Sequence, residues 1–470
     1  MTNNFQQQSK PDKRIYKKRI NKITYNEFST IKRWLLTGSF NNKFYDDESI
    51  DTSKLFLVRK AVMTEADALA NTILSYKPIA IKKESLFIAF ILLSSGNYQA
   101  KKVFKRIFNK FIISADDLFL FFSLIKKYRG FGSLIHATVK QWFKNKPVSE
   151  LERMFTETNA KYNWQIKDIL NLVRIQPRDK KETLLLNYFK GNKENNIQSY
   201  DKILPLVYII ETLKSNNAVV LENDYYIKYN FTRELFPSNY IITKDEYSYL
   251  LKNLSNDNLI LKLKKKYNIS EYVDEFYNRF EDKKYNTNLS ITELVSITNY
   301  LTEKGASTKL ISKMLEVIYY KFKFIKTKKN ILNITDMSEE MFATTLKHIT
   351  PAVIASINSS YSDKIFTFSG KERVFIDKLS VLESEGRSEE ISEVNYKLLS
   401  YKDLTKIIVW TNKQDLTRLE KSLIKMKEIH PKLNIYLFNL NKSKIKPNDY
   451  FYTINGYNYK ILKLILNNYV

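Results

Sequence analysis

The sequence predicts a mainly α-helical protein in which a long stack of helices precedes an α/β domain. From about residue 25 to residue 325, apolar residues recur at helical spacing, and the loops between them are short and polar. Glycine and proline, which interrupt helices, number only 9 each in 470 residues. After residue 330, short β-branched runs alternate with amphipathic helices, which is typical of a doubly wound sheet.

Paired helices without a strict sequence repeat characterise the first part. Val103, Ile107 and Phe111 mark the buried side of one helix, and Gly130 and Gly132 interrupt the chain between two others. This rhythm favours a degenerate HEAT-like solenoid, which would offer a long surface to an extended ligand. We expect a flexible basic arm at 1–22, helical repeats at 23–327 and the α/β domain at 328–470.

The α/β part is predicted from alternating strand-like and helix-like runs. A strand expected at 405–411 is rich in β-branched residues, as buried parallel strands are. Leu416, Leu419, Leu423 and Met426 mark one amphipathic helix. Further strands are expected at 331–335, 364–369, 374–376, 433–440 and 451–454, and further helices at 338–357 and 457–466.

The formal net charge of +27 must lie largely on the surface of the folded protein. RNA or DNA phosphate is the partner that such charge favours most, and an anionic membrane surface comes second. Abundant lysine, asparagine, isoleucine and tyrosine also suit an AT-rich coding sequence. Part of the charge is therefore compositional.

Composition excludes several classes of site. The chain has no cysteine, which removes disulfides, thiolate catalysis and zinc–sulfur sites. The three histidines, His136, His348 and His430, are too scattered to suggest a metal cluster. The N-terminus lacks the apolar core of a signal peptide, and the longest apolar run, 85–94, is too short to span a bilayer. We expect a soluble, cytoplasmic protein that does not bind a membrane.

Positive charge is concentrated on predicted helices between 101 and 146, where eleven basic residues stand against two acidic ones. The helix that follows has Ile169 and Val173 on its apolar side and Lys167, Asn171 and Arg174 on another. One face can pack while the other offers cations and an amide to a polyanion. The pattern indicates a folded nucleic-acid-binding surface.

Three stretches, in this order, carry a resemblance to a known family. They are Ile31-Lys32-Arg33-Trp34-Leu35-Leu36-Thr37-Gly38-Ser39, then Lys140-Gln141-Trp142-Phe143, then Lys161-Tyr162-Asn163-Trp164 through Ile175-Gln176-Pro177. Over about 30–325 the chain resembles the TROVE module of the Ro autoantigen family, which is followed by a von Willebrand factor A-like domain. The resemblance implies a closed ring of helical repeats that binds small noncoding Y RNA on its outer surface. It also implies that single-stranded 3′ ends of misfolded RNA enter the central hole.

The resemblance extends to individual residues. Lys161 matches a basic family position just before Trp164, Arg174 stands where the family has a histidine, and Glu157 reverses the charge of a family lysine. We expect Lys161, Lys167 and Arg174 to contact RNA phosphates, because cations on a rigid surface bind through counterion release. The supporting rim is predicted to be Lys126, Lys127, Arg129, Lys140 and Lys144.

Tryptophan could also take part in binding. Trp34, Trp142 and Trp164 could stack on unpaired bases, as aromatic residues do in single-strand-binding proteins. Core packing is the alternative, and we favour it for all three.

A divalent-metal site is implied by a von Willebrand factor A-like domain, with Asp-x-Ser-x-Ser after the first strand, a Thr in a second loop and an Asp in a third. Asp336 and Ser338 keep the first two ligands, and Glu340 could supply a substitute carboxylate. Asn412 replaces the third-loop Asp, and 384–388 contains no Thr. We therefore expect no cofactor, with Mg²⁺ the one candidate. Asp336 and Ser338 are interpreted as a strand-end turn and a helix cap.

The expected function is non-catalytic binding of structured, Y-like RNA, for RNA quality control, ribonucleoprotein assembly or the presentation of RNA to an exoribonuclease. We expect no enzyme, because the sequence shows neither a nucleophile–base pair, nor paired carboxylates with a histidine base, nor a glycine-rich phosphate loop. A protein-interaction scaffold that uses the α/β domain, with mostly compositional charge, is the alternative. A basic, membrane-associated protein is a third, weaker alternative.

Overall fold

The computed structural model describes most of the first half of the chain and the strands of the second half. The described residues are 22–41, 43–44, 49–157, 166–192, 194, 197–214, 307–322, 330–336, 365–367, 404–412, 415–440, 450–455 and 459–467, with isolated positions between 228 and 302 and at 354 and 358. The helices among them are α1 Tyr25–Thr37, α2 Leu55–Thr64, α3 Ala66–Tyr76, α4 Lys83–Leu93, α5 Tyr98–Phe111, α6 Ala115–Tyr128, α7 Ser133–Lys144, α8 Val148–Thr156, α9 Ile166–Val173, α10 Lys180–Lys190, α11 Pro205–Lys214, α12 Thr308–Phe322, α13 Thr417–Ile429 and α14 Tyr459–Leu466. The strands are β1 Lys43–Phe44, β2 Ile331–Thr335, β3 Ile365–Thr367, β4 Lys406–Thr411, β5 Asn434–Asn439 and β6 Tyr452–Asn455.

Helix boundaries coincide with residues suited to capping. Thr24 begins α1 with a capping box, in which its hydroxyl accepts from Glu27 N while Glu27 Oε2 accepts from Thr24 N at 2.8 Å. Asn97 begins α5 by accepting a hydrogen bond from Ala100 N at 2.9 Å. Gly191 ends α10 at φ 92°, a left-handed conformation that glycine adopts readily. These local signals divide the first part of the chain into short helices.

The core of the helical stack is centred on α4, which is buried from Ser85 to Leu93. This helix packs against α1, α2, α3, α5 and α6. The ring of Phe90 lies 4.7, 4.5 and 6.0 Å from those of Phe104, Phe111 and Phe121, measured between centroids. Aromatic pairs of this kind contribute about 0.5–1.5 kcal/mol each beyond their burial. The cluster therefore fixes α5 and α6 against α4.

Alternate helices of the stack lie next to one another. α5 packs against α7, and α7 packs against α9. α10 packs against α8 and α9, while α8 also packs against α11. This arrangement agrees with the predicted stack of paired helices. It also makes α7 a neighbour of both α5 and α9.

The helices are short. The longest one described, α12, has 15 residues. In the described parts of the chain, no helix combines the length and the apolar character needed to cross a membrane.

Six parallel strands form one sheet in the order β1-β6-β5-β4-β2-β3. β2 and β4 are buried along their whole length, as expected of a parallel sheet that is covered on both faces. The strands predicted at 331–335, 364–369, 405–411, 433–440 and 451–454 are confirmed, and so are the helices α13 and α14. The predicted strand at 374–376 and most of the predicted helix at 338–357 lie outside the described residues.

One edge strand of the sheet comes from the first part of the chain. Lys43 and Phe44, which form β1, pair with Thr453 and Ile454 of β6. The sequence patterns place both residues among the helical repeats, since a two-residue strand has no detectable periodicity. The predicted domain boundaries stay predictions, but the sheet is not built from 328–470 alone.

Candidate nucleic-acid interface

Helix α5 presents a strongly basic face. Its apolar residues, Val103, Phe104, Ile107, Phe108 and Phe111, are buried. No acidic residue occurs in the helix. Its exposed cations are Lys101, Lys102, Lys105, Arg106 and Lys110. The amphipathic pattern thus leaves a face on which positive charge is not neutralised within the helix itself.

The neighbouring helix α7 also carries exposed cations. Lys140 and Lys144 are one helical turn apart and both are exposed. Trp142 and Phe143, between them in sequence, are buried and hold the helix in the stack. The C-terminal end of α7 is fixed by Arg178, which donates to Lys144 O at 2.8 Å.

Helix α9 shows the two faces that its sequence predicts. Ile169 and Val173 are buried, whereas Lys167 and Asn171 are exposed. The ammonium of Lys167 lies 3.9 Å from the place where a Cβ on Gly191 would stand, at the C-terminal end of α10. A cation is favoured there because the last carbonyl groups of a helix carry partial negative charge.

Arg174 follows α9 directly and is exposed. Its backbone has φ 53°, in the left-handed region, and its N–H donates to Leu170 O at 3.0 Å. Residues other than glycine adopt this conformation in only a few per cent of cases. The side chain is thereby carried off the regular helical path at the end of the basic face.

The remaining predicted cations lie at the end of α6 and differ in their exposure. Lys126 and Lys127 are exposed. Arg129 is half-buried and donates to Ser94 O at 3.3 Å and to Gly130 O at 3.1 Å. Burial lowers the pKa of its guanidinium from the ordinary value. Arg129 is thus bound to main-chain carbonyls, and its primary contact is with the protein.

We call the exposed cations of α5, α7 and α9, together with Arg174, the basic stripe. Asp168 is the one acidic residue in the sequences of the three helices. Arg106 is paired with Asp67 of α3 at 2.6 Å, which reduces its availability. The members of the stripe are Lys101, Lys102, Lys105, Arg106, Lys110, Lys140, Lys144, Lys167 and Arg174.

The carboxyl ends of β2 and β4 meet where the strand order reverses, the position at which open parallel sheets often bind ligands. Asp336 lies there, fully buried, and accepts a hydrogen bond from the Thr411 hydroxyl at 2.7 Å. Its backbone N–H donates to Trp410 O at 2.8 Å. This geometry agrees with the interpretation of Asp336 as a strand-end residue.

The described residues at this point supply a single carboxylate, that of Asp336, to a magnesium ion. Mg²⁺ is usually bound by one or two carboxylates in octahedral geometry, and one oxygen of Asp336 accepts the hydroxyl hydrogen of Thr411. Within the described ranges, no group of three or more histidine, cysteine or acidic residues is placed to hold a metal ion. Ser338 and Glu340 lie outside the described residues, so their predicted part in metal binding stays untested.

Comparison with solved structures decides the fold. The crystal structure of the Ro (RSR) protein of Deinococcus radiodurans matches with a TM-score of 0.75 and 13% sequence identity, covering 94% of this chain and 100% of that one. The chain has the Ro fold. The predicted fold class, a mainly helical repeat structure followed by an α/β domain, is thereby confirmed.

Sequence comparisons are less informative than the comparison with solved structures. No family model matches the chain. Among curated proteins, the cyclic di-GMP phosphodiesterase PdeA of Borreliella burgdorferi is 27% identical over 323 residues, which is 64% of this chain and 44% of that protein. The chain thus spans less than half the length of this relative, and the activity in its name is that protein's own.

Within the Ro fold, the tryptophans that are described belong to the core. Trp34 is fully buried and donates to Asp51 O at 2.7 Å. Trp142 is likewise buried and donates to Ile112 O at 2.6 Å. Core packing is therefore confirmed for these two, and base stacking by them is excluded by their burial. Trp164 lies outside the described residues.

Of two further positions that the family resemblance names, Lys161 and Glu157, the structure describes only Glu157. Lys161 lies outside the described residues. Glu157 is half-buried, and its carboxylate lies 3.2 Å from Arg153 Nε. Burial raises the pKa of Glu157, and Arg153 opposes this effect. The charge reversal at Glu157 is thus balanced by a neighbouring arginine in the same helix.

The basic face of α5 is the part of the stripe that the predicted site residues omit. The charge count from 101 to 146 included its lysines, but sequence spacing could not show that α5 adjoins α7. Arg178 was also missed. It donates to Lys146 O at 2.9 Å as well as to Lys144 O, and its Nε lies 2.9 Å from Glu182 Oε2. It joins the end of α7 to the start of α10.

Proposed function

We propose that the protein binds structured RNA through the basic stripe, without catalysis. The observation that carries this proposal is the packing of α5 against α7 and of α7 against α9. These three helices and Arg174 supply nine exposed cations, while the sequences of the helices contain a single acid. Each phosphate contact releases counterions and adds affinity. The Ro fold supports RNA as the partner.

The finer proposal follows from the family resemblance. The ligand is a small noncoding, Y-like RNA, and single-stranded 3′ ends of misfolded RNA form a second class of ligand for presentation to an exoribonuclease. The proposed contacts are Lys126, Lys127, Lys140, Lys144, Lys161, Lys167 and Arg174, with Arg129 in a supporting role. Contacts to phosphates carry no information on base identity, so selectivity comes from the shape of the RNA.

The test compares two pairs of lysines with the same spacing. Lys140 and Lys144 are exposed and one turn apart on α7, and Lys421 and Lys425 are exposed and one turn apart on α13. RNA that co-purifies with the protein is sequenced, and its affinity is measured from low to moderate salt. Changing Lys140 and Lys144 to Glu should weaken binding at least tenfold and flatten the salt dependence. The Lys421→Glu and Lys425→Glu control should bind almost normally.

Equal losses in the two variants would contradict the basic stripe and favour purely compositional charge. A preparation that carries no RNA and ignores structured transcripts at low salt would refute the proposed function. The scaffold alternative would then gain support. Capture of a protein partner through the α/β part would support it further. Hydrolysis of cyclic di-GMP by the purified protein would contradict the non-catalytic part of the proposal.

A further inference from the structure

Two tyrosines are far more exposed than aromatic side chains in a folded protein usually are. Tyr25, the first residue of α1, is 85% exposed, and Tyr98, the first residue of α5, is 82% exposed. An exposed ring loses the hydrophobic stabilisation that burial would give it. Each tyrosine is the first residue of a helix that packs into the core, so the backbone that carries each ring is held in place.

The two tyrosines flank the same junction, that between α2 and α3. On one side, Lys22, three residues before Tyr25, lies with its ammonium 3.5 Å from Glu65 Oε1. On the other side, Asn97, immediately before Tyr98, donates to Met63 O at 3.0 Å. Met63 lies in the last turn of α2, and Glu65 is the one residue between α2 and α3. The chain segments that carry the two tyrosines are therefore both tied to this junction.

Exposed lysines lie close to each tyrosine along the chain. Lys101 and Lys102 follow Tyr98 by three and four residues, so they lie on its face of α5, and Lys105 continues that face by another turn. All three are exposed. Lys22 adds a cation beside Tyr25, with its side chain 83% exposed. We call Tyr25, Tyr98, Lys22, Lys101 and Lys102 the tyrosine patch.

We propose that the tyrosine patch binds single-stranded RNA, with the two rings stacked on unpaired bases and the lysines holding the adjacent phosphates. Every unpaired base offers a π-face, and stacking on an aromatic side chain needs no particular base sequence. In a duplex the bases are already stacked and do not offer those faces. The patch would thus sense the strand state of RNA, while the basic stripe holds its folded part.

This proposal rests on the proposed function in one respect, namely that the ligand is RNA. It goes further than that function by assigning two exposed rings to the unpaired bases of the RNA, while Lys101 and Lys102 belong both to the tyrosine patch and to the basic stripe. The charge of α5 argues for a polyanion over a neutral protein partner. Two separate rings among lysines also do not form the contiguous apolar area that protein interfaces usually present.

The experiment separates stacking from simple apolar contact. Binding of a labelled twelve-nucleotide oligouridylate and of a hairpin with a fully paired stem and a minimal loop is measured at several salt concentrations for the full chain. The Tyr25→Leu, Tyr98→Leu double variant should lose at least fivefold in oligouridylate affinity for each ring removed, while hairpin affinity stays the same. The Tyr25→Phe, Tyr98→Phe double variant keeps both rings and should bind both RNAs normally. Melting temperatures should not change, because both side chains are exposed.

Phe56 provides the matched control, since it is 64% exposed and lies at the opposite end of α2 from this junction. Phe56→Leu should leave oligouridylate binding intact. Normal oligouridylate binding by the double leucine variant would overturn the proposal, and so would an equal loss in Phe56→Leu or an equal loss of hairpin binding. If the native protein binds the hairpin and not oligouridylate, this inference alone fails. If it binds neither, the proposed function fails as well.

Discussion

Arg174 combines an exposed charge with a backbone conformation that costs free energy. A left-handed φ costs an L-residue about 1–2 kcal/mol relative to a right-handed helical one, and glycine escapes most of that cost. Arg174 nevertheless has φ 53° where glycine would be easier to accommodate, as Gly191 shows at the end of α10. Strain of this kind, kept at an exposed cation, supports the RNA-binding role that we propose for Arg174.

Replacing Arg174 by Gly should therefore separate stability from binding. The backbone strain is relieved and the cation is lost, so we expect an equal or higher melting temperature together with weaker binding of structured RNA. Arg174→Lys keeps the charge and the strain and serves as the control, with nearly normal affinity. Thermal denaturation and RNA titration of the same samples check both expectations. Full RNA affinity in Arg174→Gly would remove Arg174 from the proposed site.

At the scale of elements, α8 and α11 are joined through one buried carboxyl group. Glu152 of α8 accepts from Leu206 N at 2.8 Å and from Val207 N at 3.0 Å, in the first turn of α11. No side chain of α11 satisfies these donors, and a carboxylate suits the positive end of a helix. Burial nevertheless raises the pKa of Glu152, although both hydrogen bonds lower it in part.

The raised pKa sets the pH dependence of this contact. The folded state holds the proton of Glu152 more tightly than the unfolded state does. Its contribution to stability is thus fully present below the ordinary glutamate pKa and is lost as the pH rises through the folded-state pKa. Glu152→Gln keeps an acceptor and cannot ionise. The difference between its melting temperature and that of the native protein should therefore shift in favour of the variant as the pH rises from 4 to 7. A constant difference across that range would contradict this account.

Glu152→Ala provides a second test of the same contact, because it leaves two buried N–H groups without an acceptor. Unsatisfied buried donors cost about 1–3 kcal/mol each, so this variant should unfold at clearly lower denaturant concentration than Glu152→Gln. Equal stability of the two variants would show that water or another group replaces the carboxyl.

The elements were predictable where their signals are local. The apolar spacing in α9 correctly separates Ile169 and Val173 from Lys167 and Asn171. The residues that cap the helices are of types that favour such positions. The neighbourhood of α5, α7 and α9 could not be predicted, because it depends on long-range packing such as the rings around Phe90. For the same reason the sequence predicts Arg129 to be exposed like the neighbouring lysines, whereas its guanidinium binds main-chain carbonyls.

At the scale of the whole molecule, β1 connects the two parts of the chain. Lys43 and Phe44 extend the sheet beyond β6, so residues that precede α2 complete a sheet whose other described strands follow residue 330. The overall order of helices and strands follows from hydrophobic periodicity, which extends over many residues. A two-residue strand carries no such pattern and is decided by tertiary contacts.

Phe44→Pro tests the importance of this pairing. Proline removes a backbone N–H and disfavours pairing within a sheet, so amide hydrogen exchange should become faster in 452–455. Exchange in 406–411, on the far side of β5, should change little. Phe44→Ala keeps the backbone donor and should leave exchange near normal. Unchanged exchange in 452–455 for the proline variant would show that β1 does not protect β6.

The position of β1 also affects how the protein can be divided for study. A fragment that starts at residue 328 would leave the outer side of β6 with unsatisfied backbone donors and acceptors. An open parallel edge of this kind recruits strands from other molecules. In the full chain, two molecules could exchange residues 43–44, so that β1 of each pairs with β6 of the other. Such an exchange would produce a domain-swapped dimer at high concentration.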